Sequence, residues 1–199
     1  MFVNKADIRT FSNHKSIHCH QHLYLCHWIT RQYWFENAKH IAFYWPMPFE
    51  INIEPLLLHA KRIGKYCYLP SLDRYEKRLS FYRFNHPDHL EIDKRGLGQG
   101  IRPSKEIRIH HLDLVLMPVI GFSHHGFRVG FGKGYYDRTL SYVRRNDKPR
   151  RVMLGYQDQM HHFSSDIWDV PAHDLILLGA GVQHFSVSTL NHGSKTCGE

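Results

Sequence analysis

The chain predicts an α/β fold, and three observations predict it. Short apolar runs of strand character alternate with segments of helical spacing along most of its length. The most hydrophobic run, "LDLVLMPVIGF" at 112–122, suits a strand buried on both faces, as in parallel sheets. A hydrophobic content of 42%, with 14% aromatics, supplies a core for a folded domain.

The elements follow in order. Residues 1–39 are polar and His-rich and form an N-terminal helical segment. "AKHIAFYWPM" holds a buried strand, Ile41 to Trp45, stopped by Pro46 and Pro48. "INIEPLLLHAKRIG" is a helix: Pro55 suits its first turn, Leu56, Leu57, Ala60 and Ile63 make an apolar face, and Gly64 ends it. "KYCYLP" and "RLSFYRF" are two further strands, and the segment from Asn85 to Glu106 is loop-like. After the run at 112–122 comes "GFRVGFGKGYYDRTL", and "YYDRTLSYVRR" has helical spacing. "RVMLGY" and "DLILLGAGV" close the series as strands. With 199 residues the chain makes one domain, and 190–199 is expected to be a flexible tail.

Charge and cysteine usage narrow the function classes. The formal net charge of +8 favours an anionic partner, but the basic residues are spread from Lys5 to Lys195 with no long block. The aromatics fall mainly in core strands, which argues against a nucleic-acid-binding module. Cys19, Cys26, Cys67 and Cys197 form no CxxC pair and no zinc-like spacing. No run is long and apolar enough to cross a membrane or to serve as a signal peptide, so a soluble cytoplasmic protein is expected. "HCHQH" places His18, Cys19, His20 and His22 within five residues, where a solvated surface is preferred over a designed metal site.

The chemistry concentrates between Gly126 and Asp137. Gly130, Gly132 and Gly134 can expose backbone N–H groups with no Cβ in the way, and the helix that follows adds its positive end. Arg128 and Lys133 supply full positive charge, and Asp137 can hold Mg²⁺ when phosphate oxygens complete its shell. Lys133 is followed by Gly134, so this is no nucleotide P-loop, and the spacing is GxGxG instead of the dinucleotide GxGxxG. On spacing alone, a phosphate loop and a tight hairpin whose glycines meet steric needs both stay open.

The run "DLVLMPVIGFSHHGFRVGFGKGYYDRTL" resembles the signature of the 5-formyltetrahydrofolate cyclo-ligase family, also called methenyltetrahydrofolate synthetases, nearly completely from Asp113 to Asp137. "KADIR" is similar to that family's Lys-x-x-x-Arg element, and "AKHIAFYWPMPFEINIEPLL" to its strand, turn and Glu-Ile stretch. The resemblance implies a three-layer α/β/α fold with a mostly parallel sheet, like that of sugar-phosphate isomerases and CoA transferases. It implies a ligase that cyclises 5-formyltetrahydrofolate to 5,10-methenyltetrahydrofolate with ATP and Mg²⁺, releasing ADP and phosphate through a phosphorylated formyl group.

Residue by residue, the resemblance assigns ATP to Lys5, Arg9, Arg128, Val129, Gly130, Phe131, Gly132, Lys133, Gly134, Tyr135 and Tyr136, with Arg128 and Lys133 catalytic. It assigns the folate to Trp45, Glu50 and Tyr136, and the metal to Asp137 and Asp169. A monomer with no nucleic-acid or membrane partner is implied, and the basic surface suits polyglutamylated folates. The chain departs from the pattern at Ile167, where an acidic residue is usual, and at "GIRPS", which lacks a Glu before Pro103. The departure at Ile167 motivates an alternative, a folate- or nucleotide-binding protein of the same fold without turnover.

Overall fold

The structure is a computed structural model, and it describes residues 4–10, 19–86, 90–92, 98–100, 105–144 and 147–187. Pro103 and the tail at 190–199 lie outside the described residues. Helices α1 (Lys5–Thr10), α2 (Cys19–Thr30) and α3 (Tyr33–Glu36) precede strand β1 (His40–Ala42), helix α4 (Glu54–Arg62) and strands β2 (Tyr66–Asp73) and β3 (Arg78–Arg83). Three short strands follow, β4 (Leu90–Ile92), β5 (Gly98–Gly100) and β6 (Glu106–Ile107), in the segment read as loop. Then come β7 (Leu114–Pro118), the hairpin strands β8 (Gly121–Phe122) and β9 (Arg128–Val129), helix α5 (Tyr135–Leu140), β10 (Arg150–Tyr156), β11 (Asp174–Leu178) and β12 (Val182–Ser186).

Among the described residues, eight strands form one sheet in the order β12-β11-β10-β7-β1-β2-β3-β6. The strands from β11 through β10, β7 and β1 to β2 are mutually parallel, while β12, β3 and β6 pair antiparallel at the edges. Residues alternate across the sheet. Leu114, Leu116, Val152, Leu154, Ile176 and Leu178 join one buried cluster with Leu25 and Ile29 of α2, Phe35 of α3 and Leu56 and Leu57 of α4. Val115, Met117, Met153, Leu175 and Leu177 join the cluster on the opposite face with Leu140 of α5. The period of two along each strand therefore builds the three layers.

Local chemistry explains the helix ends. The Asn52 side chain accepts the Glu54 N–H at 2.9 Å, and Pro55 has no N–H to satisfy. Gly64, at φ +82°, turns the chain out of α4, with the Lys65 N–H returning to the Ala60 carbonyl at 3.0 Å.

One connection positions everything that follows. From β1 the chain crosses through α4 to β2 on one side, and β7 later pairs with the other side of β1. The loops leaving the carboxyl ends of β1 and β7 therefore diverge, the place where open α/β sheets leave a crevice for ligands. The β1 loop carries Trp45 and Glu50, and the β7 connection carries the glycine window.

Candidate active site

The glycine window is a hairpin followed by an exposed loop, so the hairpin reading describes its first half. Strands β8 and β9 pair antiparallel, Gly121 with Val129 and Phe122 with Arg128, and present the Arg128 side chain. Gly132 at φ +83° and Gly134 at φ +60° then take left-handed conformations that a side chain would strain. Phe131, Gly132 and Lys133 stand exposed. Helix α5 is shorter than its spacing predicts, six residues ending at Leu140, because the backbone tightens into a turn at Ser141. The Thr139 hydroxyl anchors it, donating to the Tyr135 carbonyl at 2.7 Å and accepting the Leu79 N–H at 2.8 Å. The Arg138 guanidinium donates to the Lys77 carbonyl at 2.7 Å and to the Lys133 carbonyl, which fixes the loop against β3.

Arg128 is the centre of the site. Its side chain is only 5% exposed, one nitrogen lies 3.0 Å from Asp137 Oδ2, and the guanidinium sits 5.1 Å from the Tyr136 ring centroid. Its Nη1 is buried with no hydrogen-bond partner among the described residues. A buried, charged donor without an acceptor is costly, so this nitrogen can take an anionic oxygen as its partner. Asp137 accepts the Val170 N–H at 3.3 Å on its other oxygen.

Glu50 is near enough to Tyr136 for its charge to act on the phenol. It is buried, its Oε2 accepts the Met47 N–H at 2.9 Å, and burial pushes its carboxyl up to about 7 against that one hydrogen bond. Burial and the charge of Glu50 raise the Tyr136 phenol, with Arg128 opposing them. Glu50, Tyr136, Arg128 and Asp137 thus share one electrostatic neighbourhood. Phe49 meets Phe131 edge-on at 5.8 Å, a contact that joins the β1 loop to the glycine loop.

Lys5 comes to the same end of the sheet from the N-terminus. Its ammonium pairs with Asp169 at 2.5 Å and Asp166 at 2.8 Å, and Ile8 of α1 packs with Val129 and Phe163. Burial would lower the Lys5 pKa, but the two carboxylates outweigh it and hold it above its ordinary value. The Arg9 side chain lies outside the described residues.

Trp45 packs on Phe84 with ring centroids 6.3 Å apart and bridges to Gly98, where a Cβ would meet the Trp45 side chain at 2.4 Å. Its neighbour Tyr44 is core, donating its hydroxyl to the Ile51 carbonyl at 2.8 Å. Val129 is core as well, whereas Gly130 opens onto space with nothing within 4 Å of a built Cβ.

Several partners escaped the sequence reading. The Tyr156 hydroxyl donates to the Glu50 carbonyl at 3.3 Å and meets His22 Nε2 at 2.9 Å. His22 therefore belongs to the floor of this region, while His20 is exposed; His18 and the Cys19 side chain lie outside the described residues. Asp166 is a partner of Lys5 that only the folded chain reveals. His124, at the turn of the β8–β9 hairpin, lies tilted against His125 and edge-on to His162, with centroids 4.1 and 5.1 Å away.

Among the described residues no three His, Cys, Asp or Glu side chains are grouped to hold a metal ion, and no helix is long and apolar enough to cross a membrane. A cavity of about 410 Å³ lies at the opposite end of the parallel strands, lined by Trp34, Asp113, Lys148, Arg150 and His173. It holds none of the residues assigned from the sequence. Its Lys148–Asp113 pair at 2.5 Å, and the Arg150–Asp174 pair at 2.6 Å, read as strand-end anchoring.

Residues 8–177 match the model of the 5-formyltetrahydrofolate cyclo-ligase family. The Haemophilus influenzae 5-formyltetrahydrofolate cyclo-ligase is 30% identical over 144 residues, covering 71% of this chain and 76% of that one. The Mycoplasma genitalium 5-formyltetrahydrofolate cyclo-ligase is 36% identical over 143 residues, covering 71% and 73%. The solved structure of Aquifex aeolicus 5,10-methenyltetrahydrofolate synthetase superposes with a TM-score of 0.73 at 25% identity, over 90% of this chain and 91% of that one.

Proposed function

We propose a course of reaction from one premise: the chain belongs to the 5-formyltetrahydrofolate cyclo-ligase family. It is a ligase that closes 5-formyltetrahydrofolate to 5,10-methenyltetrahydrofolate, and the family uses ATP. A formamide carbonyl is a poor electrophile because its nitrogen donates into it. Its oxygen is nucleophilic for the same reason. The formyl oxygen attacks the γ-phosphorus, a new O–P bond forms, and the bond to ADP breaks. The resulting iminium phosphate is attacked by the neighbouring amine. That amine loses its proton, the C–O bond breaks, and phosphate departs. No protein nucleophile is needed, so positioning and charge compensation carry the catalysis.

Arg128 supplies that compensation. Its Nη1, unpartnered among the described residues, is the observation on which the reading rests, because it offers a buried cationic donor to a phosphate oxygen. Lys133 and the amides of the glycine loop add donors from the exposed side, and Lys5 adds charge from α1, the helix that also carries Arg9. Glu50 accepts from the amino and N–H edge of the pterin, Tyr136 feels the charge of both Glu50 and Arg128, and Trp45 forms a wall of the folate side.

A divalent cation fits the donor set when nucleotide phosphates complete its shell, since one or two carboxylates then suffice. Asp137 and Asp169 would hold it, and it would offset the negative charge of the phosphate oxygens. We take the protein to act in the cytoplasm as a monomer on small molecules, without a nucleic-acid or membrane partner.

The test is the near-ultraviolet absorbance of methenyltetrahydrofolate after mixing the chain with 5-formyltetrahydrofolate and Mg-ATP. ATP-dependent growth should appear with the native chain and fall at least about a hundredfold in Asp137→Ala. Equal rates in the two proteins would remove Asp137 from the mechanism.

A further inference from the structure

Lys5 carries more negative charge than it can neutralise. Its Nζ lies 2.5 Å from Asp169 Oδ2 and 2.8 Å from Asp166 Oδ2, and the Asp166 N–H donates to Asp169 Oδ2 at 2.8 Å. One ammonium with two carboxylates leaves this triad at net −1. Such a unit repels a polyphosphate, although Lys5 is the residue that should receive it. The conflict is lifted once another cation takes up one of the carboxylates.

The two carboxylates are not equivalent. The Asp169 side chain is 11% exposed and also accepts a backbone N–H, whereas the Asp166 side chain is 47% exposed. When Asp169 turns to a nucleotide-bound cation, Asp166 remains as the single partner of Lys5. The ammonium is then held in place and free to offer its remaining donors. Asp166 lies three residues before Asp169 in a loop whose Asp169 N–H returns to the Asp166 carbonyl at 3.0 Å, so one turn presents both carboxylates to Lys5.

We propose that Asp166 is a specificity-determining residue: with Asp169 it over-neutralises Lys5, so that the site takes ATP as its metal complex and rejects free ATP. This rests on the assignment of Lys5 to the nucleotide and Asp169 to the metal made above. The charge of the triad, not merely its shape, sets the preference.

The test is calorimetric titration of the full chain with ATP, once with Mg²⁺ and once with EDTA, in the native protein, Asp166→Asn and Asp166→Glu. In Asp166→Asn the triad becomes neutral, free ATP binds better, and the ratio of Mg-ATP to free-ATP affinity falls about three- to tenfold. Asp166→Glu keeps the native ratio, and affinity for 5-formyltetrahydrofolate stays unchanged in both variants. An unchanged ratio in Asp166→Asn, or an equal weakening of both nucleotide forms, would make Asp166 a plain anchor of α1 and overturn the proposal. A native chain that binds neither form of ATP would overturn the nucleotide assignment as well, which separates the two failures.

Discussion

Replacing Glu50 by Gln should stabilise the protein while damaging it as an enzyme, and the pH dependence separates the two effects. The Glu50 carboxyl is buried and its pKa stands at about 7, against an ordinary value of 4.5. A carboxyl whose folded-state pKa is raised favours the fold while protonated. That contribution is complete below about pH 4.5 and is lost as pH rises through about 7. The difference of roughly two and a half units corresponds to about 3 kcal/mol of destabilisation at pH 8.5, and to less than about 1 kcal/mol at pH 5. Gln cannot ionise, and its oxygen can still accept the Met47 N–H that Glu50 holds at 2.9 Å. Urea unfolding of both proteins between pH 5 and 8.5 should therefore show curves that lie close at pH 5 and separate by about 3 kcal/mol at pH 8.5. The same change should reduce kcat/KM for 5-formyltetrahydrofolate about ten- to hundredfold, the worth of a hydrogen bond to a charged acceptor. Parallel stability curves across the pH range would refute the argument, because Glu50 would then not be the group that burial holds near neutrality.

Two other perturbations address the opposite end of the sheet and the surface. Asp113 accepts the Lys39 and His40 N–H groups at 2.8 and 2.9 Å and pairs with Lys148 at 2.5 Å; burial alone would raise its pKa, and these partners lower it. Asp113→Asn should cost about 1–2 kcal/mol at pH 7 in urea unfolding and leave turnover unchanged. The deficit should vanish as pH falls through the lowered pKa, since a depressed carboxyl stabilises only while ionised; a changed KM would place Asp113 in the site instead. The net charge of +8 should favour polyglutamylated folate, so Kd should fall by about threefold or more from mono- to pentaglutamate at low salt; equal affinities would discard that preference.

The layered fold was legible because its signal is local. The apolar run at 112–122 holds β7 and, at its end, the first hairpin strand β8, and Pro55 and Gly64 bound α4 as their backbone preferences require. The strands at 85–106 were not legible: Gly98 and Gly100 give no strand signal, and β5 exists because the missing Cβ of Gly98 lets the chain lie against Trp45. Helix α5 stops after six residues although its helical spacing runs on, since the chain turns at Ser141, a local change that propensity does not register.

The site divides along the same line. Which residue types lie in the window from Gly126 to Asp137 is a property of the string, and so is the chemistry that a glycine loop with Arg and Lys can offer. That Arg128 has one nitrogen on Asp137 and another without a partner among the described residues depends on how a hairpin packs against a helix. Burial alone made the Glu50 carboxyl near-neutral, and burial is a sum over the whole chain. The pairing of Lys5 with Asp166 and Asp169 spans more than 160 residues, and no spacing rule reaches that far. Spacing along the chain sets backbone geometry over a few residues, but a charge interacts with whatever the fold brings within a few ångströms of it.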